Sequence, residues 1–98
     1  MEAAFWVYIA TNKNASTLYT GVTNDLAVRM WQHRNKTNPN SFTARYSVNQ
    51  LVWYESFPTA AEAIAAEKRI KGMVRARKVE LIQSLNPRWL DLSEGWIE

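Results

Sequence analysis

The sequence predicts an α/β (α+β) domain in which a small three-stranded sheet, antiparallel or mixed, is flanked by about three helices in the order β-β-α-β-α-α. Three observations carry this expectation. Two runs rich in β-branched and aromatic residues, 5–11 (FWVYIAT) and 17–23 (TLYTGVT), are separated by the turn-forming NKNAS. A third such run, LVWYES, follows at 51–56. Helix-capping signatures stand at 23–25 and at 59–62.

The first two runs read as a hairpin. Pairing about the centre of the intervening loop puts Tyr8 opposite Tyr19, on one face, with Cβ atoms roughly 5 Å apart. Gly21, inside the second run, marks close approach of another backbone or of a ligand. Thr23, Asn24 and Asp25 then cap a helix over about 25–35, whose one face carries Leu26, Met30 and His33, with Arg29 beside it. The polar stretch NKTNPNSFTARYSVN is broken by Pro39 and reads as a loop.

Phe57-Pro58 ends the third strand, and Thr59 with Glu62 forms a capping box for a helix ending near Gly72. Glu62 is explained by that box. A last helix over about 74–85 carries an apolar stripe of Val74, Leu81, Ile82 and Leu85, and stops at Asn86-Pro87 because the residue before proline avoids helical geometry. The tail RWLDLSEGWIE contributes two tryptophans and offers a docking segment for a protein partner or a second copy.

Composition bounds the rest. The 98 residues are too few to divide into two stable cores, so the expectation is one domain over 1–98. At 47% apolar and 21% charged the chain belongs with ordered globular proteins. Without cysteine it has neither disulfides nor thiolate metal sites, which suits a reducing, cytoplasmic setting. Its apolar runs fall far short of a membrane span, and MEAAFWVYI lacks the basic flank of a leader.

Two features depart from purely structural patterning. On the helix over 60–71, Ala60, Ala63, Ile64, Glu67, Ile70 and Val74 lie on or near one apolar stripe, so Glu67 puts a carboxylate where a hydrophobe belongs. Such a group must be paired, hold a cation or line a cleft; Lys71, one turn on, is the simplest partner. Secondly, six of the twelve Lys and Arg lie between Lys68 and Lys78. Arg75, Arg77 and Lys78 sit in the first turns of a helix, where the macrodipole opposes positive charge. With Lys68, Arg69 and Lys71 they form a basic edge suited to a polyanion such as nucleic acid.

The hairpin "VYI…YTG" followed by "NDLAVRMWQH" resembles the GIY-YIG nuclease superfamily. Tyr8 and Tyr19 match the two motif tyrosines, Arg29 the arginine ten residues after the second, and Glu67 in "AAEKRIK" the later glutamate. Further stretches, "FTARY", "LVWYE", "EAIAAEKRIKG" and "LNPRWLDL", are similar to the small stand-alone bacterial branch of that superfamily. Trp6-Val7 replace the Gly-Ile of the first motif, and Thr20 replaces the Ile of the second.

The resemblance implies an endonuclease that hydrolyses phosphodiester bonds with one divalent cation, Mg²⁺ or Mn²⁺, held by Glu67. Arg29 would stabilise the transition state, Tyr8 would orient or deprotonate the attacking water, and Tyr19 would hydrogen-bond phosphate or water, both phenols pointing at one phosphorus. His33 and Lys71 would assist as proton carriers or phosphate contacts, and Asn86 is either near the site or simply a helix terminator. Gly21, Lys68, Lys71, Arg75, Arg77 and Lys78 would lie against the nucleic acid. With no separate recognition module in view, the expected substrate is DNA recognised by structure or with low sequence specificity, as in repair or recombination. The alternative is a nucleic-acid-binding module that keeps the fold without cutting; it has no need of Glu67, whose charge would repel phosphate.

Overall fold

The computed structural model describes residues 5–96; the first residues of MEAAFWVYI and the last two of the tail lie outside that span. The elements are β1 (Phe5–Thr11), β2 (Leu18–Thr23), α1 (Leu26–Asn35), α2 (Phe42–Arg45), β3 (Gln50–Phe57), α3 (Ala60–Lys71) and α4 (Arg75–Leu85). The three strands form a wholly antiparallel sheet in the order β2-β1-β3. The predicted element order is therefore observed. One element was not anticipated: α2 lies inside the stretch read as loop, a single turn capped by the Ser41 hydroxyl, which accepts from the Ala44 amide.

Strand alternation divides the core into two layers, one on each face of the sheet. Val7, Ile9 and Val52 pack with Ala63, Ala66 and Ile70 of α3 and Ile82 of α4. Tyr8, Ala10 and Leu51 pack with Leu26 and Met30 of α1 and with Val48. The buried face of α1 is the expected one, Leu26, Met30 and His33, and its N-cap is Asp25, whose carboxylate accepts from the Val28 amide. The capping box of α3 also forms, with the Thr59 hydroxyl accepting from the Glu62 amide.

The hairpin register differs from expectation by two residues. Tyr8 pairs with Gly21, and Ala10 with Tyr19. The loop is not symmetric: the Asn12 side-chain carbonyl accepts from both the Ser16 and Thr17 amides, and Ala15 takes a left-handed backbone with φ 58°. That local knot moves the centre of pairing. Because the slip is even, the two tyrosines remain on one face.

The apolar stripe assigned to α4 is also corrected. Ile82 is its buried residue and Leu81 is partly covered, whereas Val74 and Leu85 are exposed. On α3, Ala63, Ala66 and Ile70 face the sheet, and Ile64 is turned outward.

The tail folds back on its own sheet. The Leu92 amide donates to the Leu51 carbonyl, and the Leu51 amide donates to the Asp91 carboxylate. Trp89 packs against the α3–α4 core layer, and Trp96 meets Tyr54 edge-on. Asn86 is buried beneath this tail. Its amide donates to the Val52 and Leu90 carbonyls, and its carbonyl accepts from the Leu90 amide. Asn86 therefore clamps the tail to β3.

Removing a buried side chain that satisfies three backbone groups leaves them desolvated. Asn86→Ala is expected to lower stability by about 2–4 kcal/mol, read as a shift in the urea midpoint with little change in slope.

Candidate active site

Gly21 explains the centre of the site. A Cβ at that position would lie 2.6 Å from the Tyr8 hydroxyl oxygen and 2.7 Å from the ring carbon that bears it. The approach that the glycine permits is thus made by Tyr8 itself, across the strand pair. The ring occupies the space a side chain would fill, and Tyr8 is completely buried.

From there the Tyr8 hydroxyl is hydrogen-bonded to His33 Nε2 at 2.8 Å. Tyr19 completes an aromatic triangle, its ring centroid 6.1 Å from that of Tyr8 and 5.8 Å from the imidazole, which it meets edge-on. Helix α1 supplies both Arg29 and His33, four residues apart and hence on one flank. The positive charge of Arg29 is close enough to act on the Tyr8 phenol.

Electrostatics confirms how closely these groups meet. Burial, and then the neighbouring Tyr19, push the Tyr8 phenol far above its ordinary range, against the pull of Arg29. The negative charge of Glu67 pushes in the same direction, so the acid on α3 and the phenol on β1 share one field. Burial, and then the Arg29 charge, bring the imidazole of His33 down to about 4, which makes it neutral at pH 7.

Glu67 projects from the flank of α3 rather than from its core face. Ala60 and Ile64, on the same flank, line a groove with Phe5, Val22 and Arg29. Of the predicted stripe, Ala63 and Ile70 are buried against the sheet, whereas Ala60 and Ile64 border this groove, with Glu67 one turn beyond Ile64. The Glu67 carboxylate is 3.0 Å from Lys71 Nζ, and the acid's side chain is 15% exposed against 53% for the lysine. On its other side Arg29 lines a second, more polar groove with Tyr19, Gln32, His33, Thr37 and Asn38. The guanidinium thus stands on the ridge between two grooves.

Tyr19 faces the polar groove while Tyr8 lies behind it, fully buried. Several cations of the basic edge have partners within the chain. Arg75 donates to the Ala15 carbonyl at 2.6 Å and so ties α4 to the hairpin loop, and Arg77 is 3.6 Å from Glu80. With Lys71 on Glu67, Lys68 and Arg69 are the exposed cations of this edge whose side chains make no ion pair or hydrogen bond among the described residues, and Lys78 is half-buried.

What the sequence reading missed lies on the other side. No acidic residue occurs between Asp25 and Glu55, while Arg29, Arg34, Lys36 and Arg45 do. The signal was legible as an acid-free run, but spread too thinly to read as a cluster.

Comparison with known proteins identifies the family. Residues 4–80 match the family model of the GIY-YIG catalytic domain. The chain belongs to the GIY-YIG family. Among its GIY-YIG relatives, a UPF0213 protein of Staphylococcus saprophyticus is 38% identical over 79% of this chain and 92% of its own length. One from Clostridium perfringens is 39% identical over 81% and 83%. The solution NMR structure of a UPF0213 protein from Bacillus halodurans superposes with a TM-score of 0.56 at 26% identity, covering 89% of this chain and 90% of that one. No helix of the described GIY-YIG chain is long and apolar enough to cross a membrane.

A metal can be tested against the donor set. Among the described residues no three His, Asp or Glu side chains gather into a cage. Mg²⁺ does not require one, since it retains several waters and binds through one or two carboxylates plus substrate phosphate. Glu67 fits that mode once Lys71, whose side chain is 53% exposed, swings away into solvent.

Gly21→Ala is expected to destabilise by about 1–3 kcal/mol in urea titrations, since its methyl group must displace the Tyr8 ring from a fully packed position. His33 is the sole histidine, so its imidazole protons can be followed without assignment ambiguity. Their NMR titration should centre near pH 4. The unfolded chain, with an ordinary imidazole, takes up this proton first. The group's contribution to stability is therefore complete above pH 6.5 and is lost as pH falls from 6.5 towards 4.

Proposed function

We propose that this protein is an endonuclease that hydrolyses phosphodiester bonds in DNA with a divalent cation, normally Mg²⁺. The observation that carries the reading is the convergence of Arg29, Tyr19, the Tyr8–His33 pair and the charge of Glu67 on one region built from four elements, β1, β2, α1 and α3. Family membership supports the same class of chemistry, because GIY-YIG nucleases act on nucleic acid.

Each residue then has a definable task. Arg29, at the ridge, sets fixed positive charge against the phosphate and against the charge that grows on its oxygens in the transition state. Tyr19, facing the polar groove, hydrogen-bonds a phosphate oxygen or the incoming water. Tyr8 and His33 act from behind. The neutral imidazole and the high-pKa phenol share one hydrogen bond, which fixes the guanidinium's neighbours and offers a path for a proton between Oη and Nε2. Glu67 would hold the cation, which when bound supplies charge neutralisation at the phosphate and Lewis acidity for the departing 3′ oxygen. Lys71, released from Glu67, becomes available to phosphate, with Lys68 and Arg69 on the same helix end.

A second reading is favoured by one contact. In the Glu67–Lys71 pair the carboxylate is already neutralised, as suits a domain that binds nucleic acid without cutting it. Incubation with supercoiled, branched and single-stranded DNA in Mg²⁺ separates the two. Cleavage by the native chain, abolished by EDTA and by Glu67→Gln, is the expected result; binding without cleavage would establish the second reading. Arg29→Ala should slow cleavage by about 10²–10³-fold, or roughly 2.7–4 kcal/mol, while retaining much of the binding.

A further inference from the structure

Tyr19 does not end the aromatic surface. Its ring stacks on Phe42 of α2, with centroids 6.0 Å apart and planes at 29°. Phe42 in turn meets Tyr46 at 4.7 Å, and the Arg45 guanidinium carbon lies 5.9 Å from the Tyr46 ring centre. The three rings form a continuous ladder from the site outward.

Phe42 and Tyr46 are each 47% exposed, so the outer half of the ladder is open to solvent. Contact between residues four apart helps hold a one-turn helix. That alone does not require two large rings kept half in water. Their surroundings are cationic and hydrogen-bonding without a single carboxylate in the chain from residue 26 to residue 54. The polar groove between the ladder and Arg29 is lined by Thr37, Asn38, Ser41 and Thr43.

Aromatic faces beside fixed cations are what unpaired nucleic acid uses: bases stack on the rings while the backbone follows the charge. A base inside a duplex has no free face to offer. We propose that Phe42 and Tyr46 form a stacking platform for an unpaired nucleobase adjoining the phosphate held at Arg29. This inference rests on the nuclease reading for its register and adds a site that the reading does not contain. Tyr19 links the two, with one edge towards His33 and a face towards Phe42.

The test is binding in EDTA, where no cutting occurs, of a single-stranded oligonucleotide carrying 2-aminopurine and of a blunt duplex of the same sequence. Phe42→Leu preserves apolar volume and serves as the conservative variant, with Phe42→Ala and Tyr46→Ala beside it and thermal melts to verify folding. The expected result is about a tenfold or greater loss of single-strand affinity in all three, with loss of 2-aminopurine quenching. Duplex affinity and the salt dependence of binding should stay unchanged.

Unaltered single-strand affinity in Phe42→Leu would overturn the platform, as would an equal loss for strand and duplex. So would a concentration-dependent dimer in sedimentation that Phe42→Ala dissolves, because the ladder would then be a contact between copies. Failure of the native chain to bind any nucleic acid would sink the nuclease reading along with this one. Cleavage that depends on Glu67 but is indifferent to Phe42 and Tyr46 would sink the platform alone.

Discussion

The burial of one phenol organises this protein. Tyr8 lies in the middle of the central strand with no exposed surface, over a position on β2 that has no side chain. A hydroxyl so placed must find a polar partner, since a buried, unsatisfied group costs about 1–3 kcal/mol. His33 is that partner, and its own burial is tolerable because the ring stays neutral. Arg29 follows from the same geometry, one turn earlier on α1. The glycine, the phenol, the imidazole and the guanidinium are consequences of a single packing solution.

That solution separates groups that touch the solvent from groups that support them. Arg29 and Tyr19 line open grooves, whereas Tyr8 lies behind and His33 is nearly covered. The sheet brings a third contributor, α3, to the same edge from the opposite face. The charge of Glu67 thereby acts on the buried phenol without sharing its layer.

Much of this was legible in the chain. The alternation in 5–11 and 17–23, the capping side chains at Asp25 and Thr59, and the Leu26–Met30–His33 face all state local preferences that tertiary structure did not override. Glu67 was legible too, because a carboxylate on an apolar stripe must be accommodated, although only Ala60 and Ile64 of that stripe border a groove and Ala63 and Ile70 are core. Other features depended on distant partners. The hairpin register was set by Asn12 bonding to backbone four and five residues on, which a symmetric loop count ignores. Arg75 looked unexplained against its helix dipole because its partner is a carbonyl of the hairpin loop, 60 positions away in sequence. A four-residue helix such as α2 has too little periodicity to stand out from its flanking loop.

The two alanines of α3 that face the sheet, Ala63 and Ala66, have almost no exposed surface and let the helix axis lie close over β1 and β2. Glu67 directly follows them, on an adjacent flank. Interlayer thickness is thereby converted into the reach of a carboxylate. The smallness of two methyl groups, which touch neither phenol nor guanidinium, acts as a spacer gauge for the chemistry next door, so tolerance to bulk in this interior is set by alignment as well as by stability.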